Sequence, residues 1–72
     1  MDIRKLVGFR VRRIRSTRGM TQEQFAERSG FSQQYISDLE RGRCNPTIVS
    51  LYEMALALGV TPVDLLMPDN MD

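Results

Sequence analysis

The sequence has no histidine and only one cysteine, Cys44, among its 72 residues. A single cysteine excludes a disulfide within the chain, and the lack of histidine removes the usual zinc sites and histidine-based acid–base catalysis. The sequence also has no glycine-rich phosphate loop and no clustered pair of carboxylates. We therefore expect a protein that is not an enzyme and that needs neither a metal nor another cofactor.

Long apolar segments are missing as well. The longest apolar run, Met54 to Leu58, is far shorter than the roughly 20 residues that span a bilayer. The first residues lack the apolar core of a signal peptide. These features predict a cytoplasmic protein without a membrane partner. A basic amphipathic first helix on a membrane surface is an alternative, but its apolar face is needed for the core.

The charges are unevenly distributed along the chain. The formal net charge is +1, yet every lysine and arginine lies between Arg4 and Arg43, so residues 1–43 carry +5 and residues 44–72 carry −4. A basic half can present a positive face to a polyanion such as nucleic acid. Chance segregation of solvated charges explains the charge pattern equally well, so charge alone does not decide.

The pattern of apolar residues predicts an all-α fold in one compact domain, because 42% of the residues are apolar and only 26% are charged. N-cap residues and glycine stops place five helices at residues 3–17, 21–29, 32–41, 48–58 and 62–66. Helices this short must pack together to be stable. We expect a domain at residues 1–67 and a flexible tail at 68–72. The core-facing residues predicted for the first and fourth helices are Ile3, Leu6 or Val7, Val11, Ile14, Ile48, Leu51, Ala55 and Leu58.

The segment from Gln22 to Arg41 has the residue pattern of two helices that meet at a tight turn. Ala26 is small enough for close helix approach, and Gly30 supplies a backbone conformation with positive φ. The inner face of the second of these helices is apolar. Its outer residues are polar: Ser32, Gln33, Gln34, Ser37 and Asp38.

With these features the chain resembles the Cro/cI-type (XRE-like) helix-turn-helix family of phage repressors and small bacterial regulators. The resemblance extends from about Val7 to Leu66. The segments that carry it, besides the arginine-rich end of the first helix, are Gly19–Ala26 (GMTQEQFA), Ser29–Gly42 (SGFSQQYISDLERG), Asn45–Thr47 (NPT) and Ala57–Leu66 (ALGVTPVDLL). It implies a lambda-repressor-like domain of five helices with a central helix-turn-helix. The implied function is a sequence-specific, double-stranded DNA-binding transcriptional regulator, either a repressor or a controller protein.

The resemblance implies that the helix beginning near Ser32 enters the major groove. Gln33 is the residue we expect to pair in bidentate fashion with adenine, and Gln34 would contact a neighbouring base pair. Ser37 can reach a base or a phosphate. Asp38 departs from the favourable pattern, because phosphates repel a carboxylate. It either rejects wrong sequences or pairs locally.

Phosphate contacts are expected on both sides of the recognition helix. They fix the register of the protein on DNA and give salt-dependent affinity without reading sequence. The N-terminus of the second helix favours an anion through its N–H groups. A solvated basic face is the alternative for each side chain. The expected phosphate-binding residues are Thr21, Gln22, Ser32, Tyr35, Arg10, Arg41, Arg43 and Asn45.

Two further roles follow from the resemblance. Arg15 is expected to form an ion pair with Glu40 that joins the first helix to the end of the third. Family members usually pair through the C-terminal helix, so we expect a homodimer, at least on DNA, on a palindromic operator with half-sites about 34 Å apart. The apolar residues expected at the dimer interface are Val60, Pro62, Val63, Leu66 and Met67.

The main alternative function is a protein-interaction module or an antitoxin component that uses the same fold. Such a surface would favour aromatic or aliphatic anchors over the glutamines and serines found between Ser32 and Ser37. Cys44 is expected to be an ordinary loop or half-buried residue. A redox-sensing thiol is the alternative there, because Arg41 and Arg43 would lower its pKa.

Overall fold

Residues 2–68, the part described by this computed structural model, form five helices and no strand. The helices are α1 (Ile3–Thr17), α2 (Gln22–Ser29), α3 (Gln33–Glu40), α4 (Ile48–Leu58) and α5 (Pro62–Leu66). The predicted all-α architecture is confirmed, with helix boundaries within one residue of those expected. Most of the predicted C-terminal tail, residues 69–72, lies outside the described residues.

Local capping interactions explain why the boundaries fall where they do. The side chains of Thr21, Ser32 and Thr47 each accept a 3.0 Å hydrogen bond from the backbone N–H three residues later. Such caps satisfy N–H groups that have no partner within the helix. Gly59 ends α4 with a φ of 75°, in the left-handed region that favours glycine.

The helices pack in a closed ring. The main contacts of α1 are with α3 and α5, those of α2 are with α3 and α4, and α4 also contacts α5. Each helix therefore packs mainly against two others around one core. All five helices contribute to this core, and so does the loop residue Met20. Its buried members include Val7, Val11, Met20, Phe25, Ile36, Leu39, Leu51, Met54, Leu58 and Leu65.

Two predicted core residues are instead on the surface. Ile3 is 51% exposed and Ile48 is 86% exposed. Each is the first residue of its helix and lies before the point where the helix meets the core, which begins at Val7 in α1 and at Leu51 in α4. The apolar pattern gave the correct helix but extended the buried face by one turn.

Within residues 2–68, no helix is both long enough and apolar enough to cross a membrane.

Candidate nucleic-acid interface

The turn between α2 and α3 is fixed by hydrogen bonds at both helix N-termini. Thr21 and Gln24 form a reciprocal capping box, in which Gln24 Oε1 accepts from the Thr21 N–H at 2.9 Å. Gly30 closes α2 with a φ of 84°, and the Ser32 hydroxyl accepts from the Tyr35 N–H to start α3. The predicted tight turn between these two helices is therefore present.

A hydrogen-bonded network behind α3 fixes the position of that helix. Arg15 donates to both carboxylate oxygens of Glu40, from Nε at 2.6 Å and from Nη2 at 2.9 Å. Its Nη1 donates to the Met20 carbonyl oxygen at 2.7 Å, and Gln22 Nε2 donates to Glu40 Oε1 at 3.0 Å. The Glu40 side chain is only 3% exposed and that of Arg15 is 12% exposed. Because charged hydrogen bonds are strong when shielded from water, this network joins α1, the start of α2 and the end of α3 rigidly.

Gly8 allows α1 to approach α3 very closely. A Cβ atom at this position would overlap the main-chain carbonyl oxygen of Leu39 and would lie 3.0 Å from that of Glu40. Glycine in a helix interior costs roughly 1 kcal/mol relative to alanine, so its presence there requires a compensating contact. Sequence reasoning missed Gly8, although a glycine in the middle of a predicted helix was the available signal.

Four polar residues lie together at the outer face of the α2–α3 pair. Gln22, Gln33, Gln34 and Ser37 line one surface recess. The side chains of Gln33 and Gln34 are exposed, whereas Ser37 is half-buried. The first turn of α3 therefore presents two amide groups to whatever approaches this face.

Asp38 pairs locally, which is one of the two roles expected for it. Its Oδ1 accepts a hydrogen bond from Gln34 Nε2 at 3.2 Å, one turn earlier on α3. The side-chain amide of Gln33 makes no hydrogen bond within residues 2–68. The two adjacent glutamines look equivalent in the sequence, but the Gln34 amide is hydrogen-bonded within the described residues and the Gln33 amide is not.

The N-terminus of α2 leaves fewer free N–H groups than expected. The Thr21 N–H donates to Gln24 in the capping box, and the Gln22 side chain donates to Glu40. The backbone N–H groups of Gln22 and Glu23 have no acceptor within residues 2–68. These two groups, together with the helix dipole, can bind an anion at this end of α2.

The other candidates for phosphate binding flank α3. Ser32 is exposed, and its hydroxyl can still donate while its oxygen caps the helix. Tyr35 is half-buried because its ring stacks on Phe31, with centroids 4.9 Å apart. The residues that follow α3 and are exposed to solvent are Arg41, Arg43 and Asn45.

Arg10 is not part of this group. Its Nε donates to the Asp64 carbonyl oxygen of α5 at 2.9 Å. Two residues along a helix correspond to a rotation of about 200°, so Arg10 lies on the side of α1 opposite Gly8, which faces α3. The phosphate-binding role of Arg10 stays a prediction, although its Nε hydrogen bond directs the side chain towards α5.

Cys44 lies in the loop after α3 and is half-buried. Burial raises the pKa of its thiol above the ordinary value, and the Asp38 carboxylate raises it further, while a hydrogen bond with Tyr35 opposes the rise. The sequence-based expectation that Arg41 and Arg43 lower this pKa was therefore wrong. A raised pKa leaves less thiolate and disfavours a redox-sensing role.

The predicted dimer residues are only partly available. Val60 and Pro62 are half-buried, and Val60 packs against the core, whereas Val63, Leu66 and Met67 are exposed. Sequence reasoning missed an apolar face on the adjacent helix α4. Apolar residues occur on both sides of this helix, and only the core-facing stripe was predicted. The exposed residues of that face are Ile48, Val49, Tyr52 and Leu56.

The sequence profile of the Helix-turn-helix family matches residues 11–65, which include the capped turn, the Glu40 network partners and the outer face of α3. The chain belongs to this family. Among relatives, the uncharacterized HTH-type transcriptional regulator y4dJ of Sinorhizobium fredii is 60% identical over 70 residues, covering 97% of this chain and 91% of that protein.

Solved structures agree with the fold of this helix-turn-helix protein. A hypothetical transcription factor from Neisseria superimposes with a TM-score of 0.89 at 36% identity, covering 93% of this chain and 77% of the other. The restriction-modification controller protein C.Esp1396I, crystallised as a tetramer with its natural 35 base-pair operator, gives a TM-score of 0.83 at 37% identity. The coverage is 90% of this chain and 86% of that one.

Proposed function

We propose that this protein is a sequence-specific, double-stranded DNA-binding transcriptional regulator that reads the major groove with α3. The observation that carries the proposal is the pair of exposed amides, Gln33 and Gln34, at the first turn of a helix fixed from behind by Arg15 and Glu40. A rigid support is needed because base contacts require side chains held in a defined register. The operator-bound relative C.Esp1396I supports the same conclusion.

Gln33 is the residue proposed to select adenine. Its amide carries both a donor and an acceptor with no partner in residues 2–68, so both are available to the N7 and N6 positions of adenine. Ser37 follows one turn later in the same recess and can reach a neighbouring base or phosphate.

Phosphates are proposed to bind on either side of α3. At one side lie the N-terminal N–H groups of α2, near Thr21 and Gln22. At the other lie Arg41, Arg43 and Asn45, which are exposed directly after the recognition helix. The hydroxyl of Ser32 supplies a further donor, and that of Tyr35 can supply another if it turns away from Cys44.

The DNA-bound form is proposed to be a homodimer on a palindromic operator. One module of this size contacts too few base pairs to discriminate well, and two modules can read half-sites about one DNA turn apart. The exposed apolar residues of α5 and α4 offer the surface for pairing. Leu65 is the residue of α5 that is buried in the core. The side chains of Val63, Leu66 and Met67 are exposed and therefore remain available for pairing with a second chain.

Random-site selection on the purified protein, at two salt concentrations, tests the DNA-reading part of the proposal. We expect an enriched palindrome that contains adenine at one position of each half-site. Gln33→Ala should remove the preference at that position and weaken operator binding by roughly tenfold, with little change for random DNA. A flat profile for the wild-type protein would contradict the proposal and favour the protein-interaction or antitoxin alternative.

The dimer is tested separately by sedimentation with a palindromic duplex. Two chains per duplex are expected at saturation. Val63→Asp places a charge on the proposed interface and should reduce cooperative binding, while Glu27→Asp, at an exposed position of α2, provides a control away from it. One wild-type chain per palindrome at saturation would overturn the dimer.

A further inference from the structure

The hydrogen bond between Gln34 and Asp38 determines which polar group Gln34 can offer to DNA. A carboxylate oxygen can only accept, so the nitrogen of the Gln34 amide must be the atom that faces Asp38 at 3.2 Å. The Gln34 carbonyl oxygen then has no partner within residues 2–68, and the nitrogen keeps one further N–H that lies beside the Asp38 carboxylate. The chemistry of the pair fixes the orientation of the amide.

This arrangement distinguishes Gln34 from the residue before it. Gln33 has no side-chain hydrogen bond within residues 2–68, so it keeps both its donor and its acceptor. Gln34 keeps its acceptor and one N–H, but a base acceptor that approaches this N–H also meets the negative charge of Asp38. In the major groove, adenine N6 and cytosine N4 are donors, whereas guanine and thymine present acceptors.

From this we infer that Asp38 is a specificity-determining positioning residue, which makes Gln34 an acceptor that favours adenine or cytosine and disfavours guanine or thymine on the contacted strand. The inference rests on the proposed DNA-reading function. Asp38 touches no base in this scheme and acts only through Gln34. This positioning role explains why the Asp38 carboxylate is present next to a surface that approaches phosphates.

A purely electrostatic role for Asp38 makes a different prediction. Its negative charge repels the phosphate backbone whatever the sequence, so its removal alone would raise the affinity for all sites by a similar factor. Loss of the hydrogen bond instead changes the relative affinity for the four bases at one position. The two effects are therefore separable by measuring a base profile together with absolute affinity.

The experiment is random-site selection and affinity measurement on the wild-type protein, Gln34→Ala and Asp38→Ala. The wild type should select adenine or cytosine at one half-site position, and Gln34→Ala should remove that preference. Asp38→Ala frees the second N–H of Gln34 and removes the carboxylate beside it, so discrimination against guanine at the same position should fall by about tenfold. The melting temperature of Asp38→Ala is measured alongside, to confirm that the fold is retained.

A charge-matched variant supplies the control. In Gln34→Glu combined with Asp38→Ala, the new carboxylate is an acceptor by itself and the net charge equals that of the wild type. This double variant should restore the preference for adenine or cytosine. If Asp38→Ala does not fold, Gln34→Glu alone, which leaves Asp38 in place, tests the inference and should keep the preference for adenine or cytosine.

The possible failures are distinct. A wild-type protein with no sequence preference rejects the proposed DNA-reading function itself. A specific wild-type profile rejects the inference alone if guanine or thymine is preferred at the Gln34 position, or if Asp38→Ala raises affinity equally for all four bases. Failure of the charge-matched variant to restore the preference likewise overturns the inference.

Discussion

Arg10 of α1 donates a 2.9 Å hydrogen bond from its Nε to the main-chain carbonyl oxygen of Asp64 in α5, 54 residues later in the chain. The contact joins the first and last helices and helps to close the ring of helix packing. An arginine in the basic half of the sequence thus supports the fold at a point away from the recognition helix.

Arg10→Ala should lower stability without changing how binding depends on salt. Loss of a hydrogen bond from a charged donor costs about 1.5 to 3 kcal/mol, measurable by urea unfolding. Loss of a phosphate contact would reduce the slope of log affinity against log salt concentration by about one. We expect that reduction for Arg41→Ala but not for Arg10→Ala. A reduced salt slope in Arg10→Ala would instead indicate that Arg10 contacts a phosphate.

Glu40→Ala should destabilise the protein strongly. Removal of one partner of a buried ion pair leaves Arg15 without its main acceptor and costs about 3 to 5 kcal/mol. Urea unfolding followed by circular dichroism measures the change. Glu27→Ala, at an exposed position of α2, serves as a control and should change stability by less than about 0.5 kcal/mol. An unchanged melting temperature for Glu40→Ala would show that the network does not stabilise the fold.

Gly8→Ala should be destabilising even though alanine favours helices. The new methyl group would overlap the Leu39 carbonyl oxygen, so α1 must move away from α3, at a cost of about 1 to 3 kcal/mol. Ser16→Ala, at an exposed position of the same helix, tests helix propensity alone and should be neutral or slightly stabilising. If both variants were equally stable, the close approach of α1 and α3 would be disproved.

The N-terminus of α5 should respond to acid. The backbone N–H of Thr61, its hydroxyl and then Arg10 hold the pKa of the Asp64 carboxyl below its ordinary value of 3.8. A depressed pKa stabilises the folded state above the unfolded pKa, and this contribution is lost as the pH falls through the folded pKa. Unfolding curves between pH 6 and pH 2 should therefore show a smaller acid-induced loss for Asp64→Asn than for the wild type. Identical pH profiles for the two proteins would contradict this.

Helix boundaries could be predicted from the sequence because the signals that set them are local. Thr21 with Gln24 and Ser32 with Tyr35 are three residues apart, and Gly30 and Gly59 adopt positive φ at the helix ends. These interactions depend on the adjacent chain and hardly at all on the rest of the fold.

The rotation of side chains about their helices was harder to predict. Arg10 faces α5 and Ile48 faces solvent because tertiary packing sets which side of each helix is covered. The sequence placed Arg15 opposite Glu40 only through family resemblance. Gln22 as a further partner of Glu40, and Asp38 as the partner of Gln34, depend on side-chain directions that composition and spacing do not specify.

The network around Glu40 holds α3 entirely from its inner side and its C-terminal end. Neither Gln33 nor Gln34 belongs to it, and both are exposed at the opposite end of the helix. Substitutions at these two positions therefore leave the packing of the scaffold untouched. A lineage, or a protein engineer, can redirect such a molecule to new target sites without having to restore its folding afterwards.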